Sequence, residues 1–119
     1  MRIYWTTEQH TLLAEAYNRH VQIAKKPEER ATLYSALGKV YEDHLDEADK
    51  AIDTFNNLLS VDEDSKIAMS ALVRLYKKTE VWAQAAEMLE KQTTREEDVD
   101  AQADLFYEMG KLQHERLDK

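Results

Sequence analysis

The sequence predicts an all-α chain of about six helices, paired as antiparallel hairpins in tandem. Three observations predict it. The composition favours helix: alanine, leucine, glutamate and lysine are abundant, while one proline and two glycines leave little material for hairpin turns. Apolar residues recur at three- and four-residue spacing almost throughout. Finally, the chain repeats itself. Residues 31–46, ATLYSALGKVYEDHLD, return 72 positions later as ADLFYEMGKLQHERLD, with both glycines of the chain in register.

The 119 residues are the size of one domain, and 43% hydrophobic residues suffice for a core. A net charge of −8 argues against a general nucleic-acid binder, which needs a basic surface, and against adhesion to anionic membranes. No apolar run approaches the ~20 residues of a membrane span. The first residues lack the apolar core of a signal peptide, which fits a cytoplasmic chain, although a fragment of an exported protein would read the same. With no cysteine there are no disulfides, thiolate metal sites or thiol chemistry.

The helices follow in order. Thr6-Thr7-Glu8-Gln9 has the form of a capping box, and Leu12, Leu13, Ala16, Tyr17, His20, Val21 and Ala24 then mark a first helix. Pro27 suits the first turn of a second, running to about His44, with Glu28 and Glu29 at its positive end. Leu33, Tyr34, Leu37, Val40 and Tyr41 are its stripe. Asp46 reads as the N-cap of a third helix carrying Ala48, Ala51, Ile52, Phe55, Leu58 and Leu59. The acidic break at residues 61–65 precedes a fourth, through Ile67, Ala68, Met69, Ala71, Leu72, Leu75 and Tyr76. After a turn at Thr79-Glu80 a fifth carries Trp82, Ala85, Ala86, Met88 and Leu89. Polar residues 93–98 lead to a sixth, from about Val99 to Arg116.

The repeat has a finer signature. Leu37-Gly38-x-x-Tyr41 returns 35 residues on as Leu72-Val73-x-x-Tyr76, and again as Met109-Gly110-x-x-Gln113. After the first two comes Ala-x-x-x-Phe/Leu in the next helix: Ala51 with Phe55, then Ala85 with Leu89. On these residues the chain resembles the tetratricopeptide repeat family over about residues 31–119. Residues 6–26 resemble a partial repeat; residues 27–62 and 63–97 read as two repeats, and 98–119 as a half repeat or capping helix. The resemblance implies a right-handed superhelix of helix hairpins. It also implies that Gly38 and Gly110 each mark a close helix contact, with Gly38 facing Ala51. Three departures stand out: one extra residue between Tyr41 and Ala51, Val73 in place of glycine, and Gln113 in place of tyrosine.

The family resemblance also implies a function, a non-enzymatic scaffold that holds a protein or peptide partner in a concave groove. Lys39, Arg74 and Lys111 each lie two residues beyond the motif leucine or methionine, and Ser35, Ser70 and Tyr107 two before it. With Lys77 they are the candidate groove residues, and the cationic ladder points to an acidic peptide or a C-terminal carboxylate. The lysine and asparagine that family members use to clamp chaperone tails fall here on Ser35 and Lys39, so that specialisation is not supported. The ordinary alternative is that the ladder is a solvated helix face. A second function class is an oligomerisation element. Tyr4, Trp5, Leu12, Leu13 and Tyr17 form an apolar end through which a homodimer would form. His10, His20, His44 and His114 have no metal-ligand spacing, and no phosphate loop or nucleophile elbow occurs, so neither cofactor nor metal is expected.

Overall fold

The computed structural model describes residues 6–117 and contains six α-helices and no strand among them. They fall into two compact units, residues 1–63 and 64–119.

In the first unit α1 (Thr7–Ile23) packs on α2 (Pro27–Lys39), and α2 packs on α3 (Ala48–Val61). The capping box closes as the sequence predicts. The Gln9 amide donates to Thr6 Oγ1 at 3.2 Å, and the Thr6 amide donates to Gln9 Oε1 at 2.8 Å, satisfying two of the helix's orphan donors. Pro27 occupies the first turn of α2, where its missing N–H leaves no bond unmade. Ala14, Leu37 and Val40 form one core cluster, with Leu13, Tyr17, Tyr41 and Leu45 against it. Ala51, Phe55 and Leu58 bury the inner side of α3.

In the second unit α4 (Lys66–Lys78) packs on α5 (Trp82–Arg95), and α5 on α6 (Val99–Leu112). Helix α4 is its centre. Ala68, Met69, Ala71, Leu72, Val73, Leu75 and Tyr76 are all buried there, joined by Ala85, Met88 and Leu89 of α5. The one buried polar side chain of α5, Thr93, is satisfied locally, its Oγ1 donating to the Leu89 carbonyl at 2.8 Å. Gln102 Nε2 donates to the Thr93 carbonyl at 2.9 Å, tying α6 to the end of α5.

The two hairpin turns differ by one residue, and the structure shows where it goes. After α4 the chain closes a Schellman turn. The Val81 amide donates to the Tyr76 carbonyl at 2.8 Å, the Glu80 amide to the Lys77 carbonyl, and Glu80 sits at φ 61°. After α2 the matching residue, Asp46, sits at φ 51°, but the closing bond runs from Glu47 to Tyr41, one residue further. The extra residue is absorbed upstream as a π-helical turn over Val40–His44, whose Leu45 amide reaches back five residues to Val40. The extra residue between Tyr41 and Ala51 therefore widens a helical turn. Asp46 is not the N-cap of α3 either; its left-handed backbone ends the preceding helix, and Glu47 is the cap residue. Ser65 caps α4, its Oγ accepting from the Ala68 amide at 3.1 Å.

Candidate functional site

The side chains proposed for the groove lie on one register of α2, α4 and α6. In the second unit, α4 and α6 bring several of them together. One hollow of about 620 Å³ is lined by Ser70, Val73, Arg74, Lys77 and Lys78 of α4, Gln92 of α5, and Leu105 and Glu108 of α6. A second, of about 610 Å³, runs from Lys77 past Asp104, Tyr107 and Lys111 to Trp82 and Arg116. Lys77 and Glu108 line both and form an ion pair. Tyr107 is 74% exposed, and Arg74 and Lys111 are exposed too. Ser70 accepts a bond from Gln92 Nε2 at 3.0 Å. Arg116 stacks its guanidinium over the Trp82 ring, 4.8 Å from the centroid.

Charge is graded along this surface. The hollow around Arg74 holds three cations, Arg74, Lys77 and Lys78, against the single carboxylate of Glu108. Toward the N-terminal end of α4 a third hollow, of about 760 Å³, holds Lys66 and Arg95 against Asp64, Glu96, Glu97 and Asp104. There Lys66 pairs with Glu96 at 3.5 Å and Arg95 with Asp64 at 3.2 Å. The positive end of the surface is thus the C-terminal half of α4. This gradient is not visible in the motif, because Lys78 and Glu96 stand outside the repeated stretch and Asp104 stands where the first copy has Thr32.

In the first unit Lys39 is exposed at the last residue of α2 and Ser35 is half-buried one turn earlier. Among the structural repeat positions Ala51, Phe55, Ala85 and Tyr76 are buried, and Tyr41 is half-buried. The glycines need correcting. The nearest neighbour of a β-carbon on Gly38 would be the Phe55 ring, at 2.6 Å, and not Ala51. Gly110 marks no close contact at all, since nothing lies within 4 Å of a β-carbon built there. Both follow from geometry. The aromatic ring of α3 reaches past Ala51 to α2, whereas α6 has no described helix over its glycine.

The proposed apolar end is also redistributed. Tyr4 and Trp5 lie outside the described residues. Leu13 and Tyr17 are half-buried against the core, not open, because α1 turns them onto α2. Leu12 alone of the described three stays outside, 59% exposed. The structure adds one contact that spacing did not reveal: His10 and His44 stack with ring centroids 4.1 Å apart. No group of three or more metal-ligating side chains gathers among the described residues, and no helix there is long and apolar enough to cross a membrane.

Tandem antiparallel helix hairpins with open, charge-graded hollows along their helices define the fold class as a helical-repeat module. A tetratricopeptide repeat family model matches residues 68–101, covering all but the first two residues of α4, all of α5 and the start of α6. The match supports the resemblance, and repeats of this kind point to protein–protein interaction. No curated protein and no solved structure matches the chain.

Proposed function

We propose that the chain is a non-catalytic scaffold that binds a peptide segment of a protein partner along Arg74 and Lys111 of the second unit. One observation carries the reading: Arg74, Lys77 and Lys78 line one hollow together with Glu108, in a protein that is otherwise acidic. A local positive field on an acidic body selects an acidic ligand and steers it there. Ser70, Gln92 and Tyr107 supply polar contacts beside the charge, the mix that peptide grooves use for orientation. The charge gradient favours one direction, with the ligand's acidic end over Arg74 and Lys78 and its neutral or basic end toward Asp104, Glu96 and Glu97.

The test is a fluorescence-anisotropy titration with a fluorescein-labelled peptide rich in Asp and Glu. The double change Arg74→Glu, Lys111→Glu should weaken binding at least tenfold, and added salt should weaken the native complex. Binding that survives the double change sinks the reading.

A further inference from the structure

The chain turns the same corner twice, with opposite charge. Helix α1 ends at Ile23 and α2 starts at Pro27; α5 ends at Arg95 and α6 starts at Val99, 72 residues later in both cases. The two backbones agree. Ala24 sits at φ −70°, ψ 131° and its counterpart Glu96 at φ −79°, ψ 126°. Lys26 sits at φ −85°, ψ 134° and Asp98 at φ −76°, ψ 120°. The side chains do not agree. The first corner carries exposed Arg19, Lys25 and Lys26, and residues 16–27 contain no acid. The second has Glu96, Glu97 and Asp98 in the places of Ala24, Lys25 and Lys26. Local folding does not account for the basic corner. Asp98 caps α6, its Oδ1 accepting from the Asp100 amide at 3.1 Å. Lys26 makes no side-chain cap and brings positive charge to the positive end of the α2 dipole. Ile23, one turn after Arg19, is 74% exposed at this corner. Among the described residues Arg19, Lys25 and Lys26 form no ion pair.

We propose that the α1–α2 corner of one copy docks in the hollow beside the α5–α6 corner of a second copy. That hollow, of about 760 Å³, combines apolar Met69, Ala101 and Leu105 with the carboxylates of Glu96, Glu97 and Asp104. Lys66 pairs with Glu96 and Arg95 with Asp64, while exposed Glu97 and Asp104 form no ion pair among the described residues. Ile23 meets the apolar lining, and Arg19, Lys25 and Lys26 meet these acids. The occupant is a second copy because every molecule carries one such corner and one such hollow, of opposite charge and each with apolar surface at its centre. A net charge of −8 opposes the approach of two copies at a distance. The screening length at physiological salt is only about 8 Å, so the charges that meet in the contact decide it. The N-terminal apolar end around Leu12 takes no part.

Sedimentation velocity of the whole chain, from about 10 μM to about 1 mM, reads the association. The expected result is reversible self-association with a dissociation constant of about 100 μM, that of a small transient interface, weakened at about 1 M salt. The double change Lys25→Glu, Lys26→Asp gives the first corner the charge of the second and should weaken association at least tenfold. Glu97→Lys with Asp104→Lys should do the same. An equimolar mixture of the two double variants should associate again, because the basic corner of one then meets the acidic hollow of the other. All four positions are exposed, and thermal melts verify that the fold survives. Lys26→Asp alone should raise the melting temperature, by supplying a cap, while it weakens association; this separates the contact from the fold. Leu12→Asp and Arg74→Glu should change nothing. A monomer at about 1 mM, association that either double variant keeps, a mixture that stays monomeric, or association lost with Leu12→Asp overturns the proposal. The acidic-peptide titration is read on Arg74 and Lys111, so its failure leaves this result standing.

Discussion

The ring of Phe55 fills the space that a side chain on residue 38 would need, 2.6 Å from the position of its β-carbon. Phe55 is 1% exposed and has nowhere to swing. Gly38→Ala therefore forces overpacking, at a cost of about 1–3 kcal/mol, offset by about 1 kcal/mol of helix propensity. A net loss of about 1 kcal/mol is expected in a denaturant melt, and Gly38→Val should lose more. Gly110→Ala is the converse. The same motif position has open space, so only the propensity gain remains, and the variant should be more stable by up to about 1 kcal/mol. Equal effects at the two glycines would contradict the assignment of Phe55 as the obstacle.

The π-helical turn at Val40–His44 should be removable. Deleting exposed Asp43 shortens the span from Tyr41 to Glu47 to that of the Tyr76–Val81 turn, which closes as a regular Schellman motif. The deletion should leave far-UV dichroism intact and change stability by less than about 1.5 kcal/mol, the scale of one lost hydrogen bond. Deleting Lys78 has no such slack. It pulls Glu80 and Val81 out of register and rotates α5 relative to α4, turning Ala85 and Leu89 off the core, a loss of more than about 3 kcal/mol. Comparable melting for the two deletions would be evidence against the inserted-residue account.

These two cases also mark what sequence reading could reach. Helix order, the repeat and the cap at Thr6 were legible because apolar spacing and capping chemistry are local. The extra residue after Tyr41 was countable, but not the place where the backbone absorbs it, since a π turn and a longer loop have the same sequence length. The glycine motif gave the position in the repeat and not its neighbour, so Gly38 and Gly110 read alike while only one is covered. At the candidate site the repeat pointed to Arg74 and Lys111. The charge gradient did not follow from it, because Lys78 and Glu96 stand outside the repeated stretch and Asp104 stands where the first copy has Thr32. The stacking of His10 on His44 joins α1 to the π turn, and nothing in the spacing of either points to the other.

Glu80 pays a conformational penalty at φ 61°, where a β-carbon crowds the following carbonyl. The Schellman bonds around it use only backbone atoms, so glycine keeps them. Glu80→Gly should raise stability by about 1 kcal/mol, less the glycine's extra unfolded-state entropy. Asp46, at φ 51°, gains less from the same change, because a short polar side chain tolerates the left-handed region better than glutamate. Differential scanning calorimetry of the two single variants checks the order; a larger gain at Asp46 would refute it.

Glu108 tempers the positive hollow beside the C-terminal half of α4. It is the one carboxylate lining the hollow that holds Arg74, Lys77 and Lys78, and it pairs with Lys77 across α4 and α6. The pair is partly solvated, with side chains 34% and 42% exposed, so its own contribution to stability is at most about 1 kcal/mol. Its effect on a ligand is larger in proportion. An acidic peptide arriving over Lys77 competes with a carboxylate already in place and is repelled by it. Glu108→Gln keeps the shape and removes that competitor. Affinity for the labelled acidic peptide should rise by roughly fivefold, about 1 kcal/mol at partly exposed charge separations. The melting temperature should shift by no more than a few degrees. The gain should shrink as ionic strength approaches about 1 M, where the screening length falls to about 3 Å. Unchanged or weakened binding by Glu108→Gln would place the ligand's charge elsewhere than over Lys77.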